Sequence, residues 1–254
     1  MQSGSERTLN AVVLAALAAL CAVAWAYLAY LAAAMSSDMA GMPGMVMTGP
    51  WSAADSVAMF VMWAVMMVAM MLPSVSPMVL LYARTLRHRA AQGRPDGSVA
   101  LFVGGYLLAW TGFSALATLL NWGLHQGGLM NAMMGRATPQ VAGVVLIGAG
   151  VYQLTPFKDA CLTHCRSPIG FLADHWREGG AGATAMGLHH GLYCVGCCWM
   201  LMALLFVLGV MNLAWIAVLT VFVLLEKAVP RGRLVSRVSG GALLGWGAWL
   251  LAGG

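Results

Sequence analysis

The sequence predicts an all-α membrane protein, a bundle of about seven transmembrane helices with a cytoplasmic N-terminus. Three observations carry this expectation. The 254 residues are 61% hydrophobic and 8% charged, against about 25% charged in globular proteins, so a water-soluble surface is out of reach. Apolar runs near the roughly 20 residues needed to cross a bilayer recur along the chain. The cations fall on one side of the alternation that those runs imply.

The expected spans are 10–34, 55–82, 98–123, 139–155, 184–208, 211–228 and 239–252, of which the fourth and seventh are short. The first reads as a retained helix rather than a signal peptide, although Ala32-Ala33-Ala34 offers small residues for cleavage. Its apolar core exceeds the roughly 7–15 residues of a signal peptide, and only Arg7 precedes it. Residues 1–54 then hold one helix and a methionine-rich external loop, and residues 55–254 form a six-helix membrane domain.

With the N-terminus inside, the cytoplasmic segments carry Arg7, Arg84, Arg87, Arg89, Arg94, Lys158, Arg166, Arg177, Lys227, Arg231, Arg233 and Arg237, and the outer segments carry Arg136. Twelve of thirteen cations on one side is what the positive-inside rule asks. The net charge of +5 therefore serves topology and lipid headgroups, and no nucleic-acid partner is expected. The localisation this implies is a bacterial inner (cytoplasmic) membrane, crossed many times.

Two regions carry chemistry. The external loop holds Met35, Met39, Met42, Met45 and Met47 among glycines and a proline. Thioethers are soft, neutral donors that suit Cu(I). In the next helix Met59, Met62, Met66 and Met70 recur at three- and four-residue spacing and share one face, either as packing or as ligands. Asp55 lies near the outer mouth. Pro73 and Pro77 are expected to interrupt the helix and free backbone carbonyls.

The second region is denser. Between Cys161 and Cys198 lie five of the six cysteines and four of the six histidines. Cys161, His164 and Cys165 sit in a cytoplasmic segment. His189, His190, Cys194, Cys197 and Cys198 sit in a span, where Met186, His190, Cys194 and Cys197 (or Cys198) share a helical face and His189 and Tyr193 run beside it. A thiolate inside lipid is costly unless a cation or metal offsets it, so this group points to a bound metal or a redox dithiol. The spacing is not that of a zinc ribbon. Cys21, His88, His125 and His175 read as packing or interfacial residues. Glu226 reads as the partner of Lys227 or of a loop arginine, with a proton relay as the alternative. No nucleophile–His–acid set, phosphate loop or catalytic carboxylate pair is present.

The runs Met62–Pro73, Cys161–Pro168, Gly187–Trp199 and Glu226–Pro230 together resemble the bacterial DUF2182 family from about residue 55 onward. That resemblance implies a metal-binding integral membrane protein.

The expected function is binding, delivery or transport of a transition metal, copper above zinc, through Met62, Met66, Met70 and the Cys/His group. The expected partners are the lipid bilayer, the metal ion, and a metallochaperone or metalloenzyme. The alternatives are a membrane thiol–disulfide oxidoreductase using Cys194–Cys197, and a metal-dependent membrane oxygenase or its assembly factor.

Overall fold

The computed structural model describes residues 2–41, 51–94, 97–128, 130–131, 136–210, 212–230 and 232–253, without the side chains of 2–6, 35–41, 130–131 and 136–137. Met42, Met45 and Met47 of the methionine-rich loop, and the side chains of Met35 and Met39, lie outside the described residues. Apart from turns and short connections, the described chain is helical, with one antiparallel ladder of two residues between β1 (Met130–Asn131) and β2 (Arg136–Ala137). The helices are α1 (Gln2–Gly41), α2 (Ala53–Ala91), α3 (Val99–Gln126), α4 (Pro139–Gln153), α5 (Pro156–Arg166), α6 (Pro168–His175), α7 (Gly179–Ala203), α8 (Leu205–Leu208), α9 (Leu213–Ala228) and α10 (Gly232–Leu251).

Four stretches are long and apolar enough to cross a membrane: Arg7–Ala34, Ala53–Ala91, Val99–Gln126 and Gly179–Leu208. A fifth results if α4 and α5, bent by 65° at their junction, count as one. Helix α9, with 16 residues, and α10, with 20, complete the bundle.

Helix α2 runs unbroken through both prolines, contrary to the expected interruption. The carbonyls that prolines leave without an N–H partner are instead capped by side chains. The freed oxygen of Ala69 accepts the Cys21 thiol from α1 at 3.4 Å, and that of Pro73 accepts the Ser76 hydroxyl at 2.8 Å. Asp55, expected at an outer mouth, closes a capping box with Ser52 at the start of α2. Helix α1 packs antiparallel on α2 through Val13, Leu17, Ala24 and Leu28, and Arg84 donates to Asn10 at 3.1 Å.

Two other helix pairs come together on small residues, as membrane helices do in the absence of a hydrophobic drive between them. Helices α3 and α7 run parallel. A Cβ at Gly105 would fall on the Thr184 carbonyl, and one at Gly187 on the Phe102 carbonyl. Helices α4 and α10 run antiparallel, with Gly143 against Gly247 and Gly150 against Gly240. Besides α3, helix α7 packs on α4, α5, α8 and α9. Around it Trp63, Tyr82, Phe102, Tyr106 and Trp110 are almost wholly buried.

The segment 156–175, expected as a cytoplasmic loop, folds into α5 and α6 instead. Thr155 caps α5, and Lys158, Cys161, Leu162, Phe171 and Leu172 are buried. Lys158 fastens α5 to α9: its Nζ lies 2.7 and 3.0 Å from the two Glu226 oxygens. Glu226 also accepts from Gln153 of α4 at 3.1 Å and from Ser236 of α10 at 2.9 Å. This corrects the expected pairing of Glu226 with Lys227 or a loop arginine. Consecutive helical residues point in different directions and do not face each other.

Candidate metal centre

The centre assembles from two helices that are far apart in sequence. Helix α5 brings Cys165 and α7 brings Cys194 and Cys197, and their three sulfur atoms lie within 4.8 Å of one another. Cys194 and Cys197 are buried and Cys165 is half-buried. All six cysteines are free thiols. The spacing on α7 explains the pair, since residues three apart lie on one helical face. Cys165 joins them because α5 is pinned against α9 and crosses α7 at Gly196. The missing side chain at Gly196 makes room for the Cys161 thiol, which a Cβ there would approach to 2.9 Å.

The sulfur of Cys194 is the best connected. Lys227 Nζ, from α9, donates to it at 2.9 Å, and the Tyr106 hydroxyl, from α3, lies 3.1 Å away. Lys227 also donates to Ser74 Oγ at 3.1 Å, and Tyr106 reaches the Met71 carbonyl at 3.4 Å. Both contacts lead to the turn of α2 around Pro73, so four helices surround this one sulfur. The thiols of Cys197 and Cys198 both donate to the Cys194 carbonyl, at 3.1 and 3.0 Å. A cation beside a buried sulfur offsets the charge of a thiolate, which lipid alone would not tolerate.

The histidines do not join the sulfurs. His190 is 3% exposed and packs against Phe171, Tyr106 and Phe102, with its Nδ1 buried and unpartnered among the described residues. His164 is exposed, stacked on Tyr193 at 4.5 Å, with Nδ1 2.9 Å from the Ala160 carbonyl. His189 is half-buried, 4.5 Å from the His175 ring and 4.9 Å from Tyr193. These rings form an aromatic layer beside the thiols. Met62, Met66 and Met70 are buried on α2 together with Met67, Met71 and Met78.

Chemically the site is soft. A metal–sulfur bond of about 2.3 Å places three trigonal sulfurs roughly 4 Å apart, within easy reach of the observed spacing. Thiolate donors select Cu(I) or zinc, but a structural zinc site calls for four ligands. The three-sulfur group therefore fits Cu(I) as it stands. Sequence reasoning missed Lys227 and Tyr106. The requirement for an offsetting cation was readable, but which cation would meet it was not.

No curated protein and no solved structure matches the chain. The family whose model matches is described as PpoB2, copper chaperone, and the match runs over residues 60–250, from α2 to α10 and through every residue of the sulfur group. A soft three-sulfur centre and a match over well over half its length together make one statement about this chain: it belongs to the PpoB2 copper chaperone family.

Proposed function

We propose that the chain holds Cu(I) inside a bacterial inner membrane and hands it on, with Cys165, Cys194 and Cys197 as the ligands and Lys227 as their counter-cation. The observation that carries this reading is the approach of three thiol sulfurs from α5 and α7 to within 4.8 Å, beside a lysine ammonium. Charge sets the resting state. Two thiolates with Cu(I) carry one net negative charge, which the ammonium cancels, so the third sulfur stays a neutral thiol. Transfer follows by exchange: a Cu–S bond to an acceptor's thiolate forms as the bond to the neutral Cys165 thiol breaks. His190 Nδ1, buried and unpartnered among the described residues, lies beside Tyr106 and in the Nε2–H tautomer would offer a further lone pair.

Met62, Met66 and Met70 form an approach for the ion along α2, because that helix meets the centre at Met71 and Ser74. Seven spans with the N-terminus inside agree with the helix directions, since α1 opposes α2, α3 parallels α7, and α4 opposes α10. The contacts of the basic end agree as well: Arg84 with Asn10, Arg89 with Glu178, Arg166 with the Val229 carbonyl, and Arg233 with Asp159. A metallochaperone or a copper enzyme would receive the ion.

Elemental analysis of the detergent-purified protein tests the reading. About one copper per chain is expected, lost in Cys165→Ser, Cys194→Ser and Cys197→Ser and kept in Cys21→Ser. Metal-free protein, or zinc alone, would refute it. So would a reversible Cys194–Cys197 disulfide trapped in cells, which is the signature of a thiol oxidoreductase.

A further inference from the structure

Beyond the copper centre, the basic end of the bundle holds a second built site. A cavity of about 640 Å³ opens between the end of α5 and the start of α10, lined by Thr163, Arg166, Ser167, Pro230, Arg233, Leu234 and Arg237. Three guanidinium groups and two hydroxyls share one cavity, and no carboxylate lines it among the described residues. The acid nearest to hand, Asp159, stands 3.9 Å from Arg233 Nε, at the outer limit of an ion pair. Arg166 spends one nitrogen on the Val229 carbonyl and crosses Gly232, where any side chain would collide with it. Thr163 Oγ1 donates to the Asp159 carbonyl at 2.7 Å and accepts from Arg233 at 3.5 Å; the remaining arginine nitrogens and Ser167 Oγ face the cavity without a carboxylate partner among the described residues. Helix α10 begins at Gly232 beside the cavity, and the partial positive charge of a helix start adds to the field.

Arginine forks with hydroxyl donors are the chemistry that grips phosphate oxygens. The apolar members of the lining, Pro230 and Leu234, and the exposed apolar side chains of Leu234, Val238 and Ile169 place the cavity against hydrocarbon rather than open water. We propose that it binds the phosphodiester headgroup of an anionic phospholipid of the cytoplasmic leaflet, the glycerol lying on Leu234 and Pro230. Arg166 follows Cys165 directly, and Pro230 lies three residues after Lys227. The lipid therefore braces the two segments that meet at the sulfur centre.

The test does not depend on copper. The full chain is placed in nanodiscs of phosphatidylcholine containing a minority of phosphatidylglycerol, extracted mildly, and weighed intact by native mass spectrometry. Phosphatidylglycerol should be retained in preference to phosphatidylcholine. Surface arginines contribute about 1 kcal/mol each toward anionic lipid, so Arg233→Gln/Arg237→Gln should lower retention roughly 30-fold. Arg233→Lys/Arg237→Lys, which keeps the charge but not the fork, should fall between the native chain and the double-Gln variant. Circular dichroism and size-exclusion elution check that each variant is folded. Equal retention in a folded double-Gln variant overturns the proposal. So does displacement of the lipid by millimolar inorganic phosphate, which would assign the cavity to a soluble phosphate instead.

Discussion

Lys158 and Lys227 are both cations drawn into an apolar bundle, and their surroundings differ in kind. Lys158 is wholly buried and faces a carboxylate with both oxygens engaged, inside a network closed by Gln153 and Ser236. Lys227 is half-buried and has a thiol sulfur and one hydroxyl, with no carboxylate bonded to it among the described residues. The first is a completed ion pair, and its work is to fasten α5 to α9. The second is a cation whose partner can gain or lose charge, so it can respond to an ion at the sulfurs. Burial alone does not mark a functional lysine; the nature of the partner does.

Five variants sharpen or break this contrast. Glu226→Gln leaves Lys158 buried without its counter-charge and should cost about 3–5 kcal/mol of stability, measured by unfolding in detergent. Lys158→Met/Glu226→Leu, which removes both charges, should recover most of that loss. An unperturbed Glu226→Gln protein would end the claim that the pair is a fastener. Lys227→Met should do the reverse, with stability nearly kept and copper affinity reduced about 10–100-fold, the usual cost of losing a group that orients or balances a metal ligand. If competition against a Cu(I) chelator shows no change, Lys227 is a structural cation like Lys158.

Tyr106→Phe removes the hydroxyl 3.1 Å from Cys194 Sγ. The effect should be about 0.5–1.5 kcal/mol, no more than roughly tenfold in affinity by the same competition. Smallest is Met62→Leu/Met66→Leu/Met70→Leu. Each volume-conserving swap costs less than about 1.5 kcal/mol. Bound copper should stay at one per chain while loading from the outer side slows, and a drop in the amount bound would make these thioethers resting ligands.

The sequence made the long helices legible because their apolar runs are continuous; α2 contains the span expected for it, α3 all but the first residue of its own, and the span expected over 184–208 falls on α7 and α8 together. Helices α5 and α6 were hidden because they have 11 and 8 residues and bury one face only, so they read as polar loop. The convergence of cysteines could be anticipated from their density. Why Cys165 rather than Cys161 meets the α7 pair could not, because the two sit one turn apart on the same face of α5. The height of that helix against α7 decides between them, and the Lys158–Glu226 pair and Gly196 fix that height. Lys227 was likewise hidden behind its neighbour Glu226. A linear sequence displays the two as a pair, whereas a helix turns them toward different rooms.

The absence of side chains where α3 meets α7 has a consequence for selectivity. With Gly187 seated on the Phe102 carbonyl, the backbone carrying Cys194 and Cys197 has no slack toward α3, which carries Tyr106. A single methyl inserted there would act as a shim, levering the thiols off their bearing and widening the aperture between them. The fit of any ion held by those thiols would thus be set in part at a position it never touches.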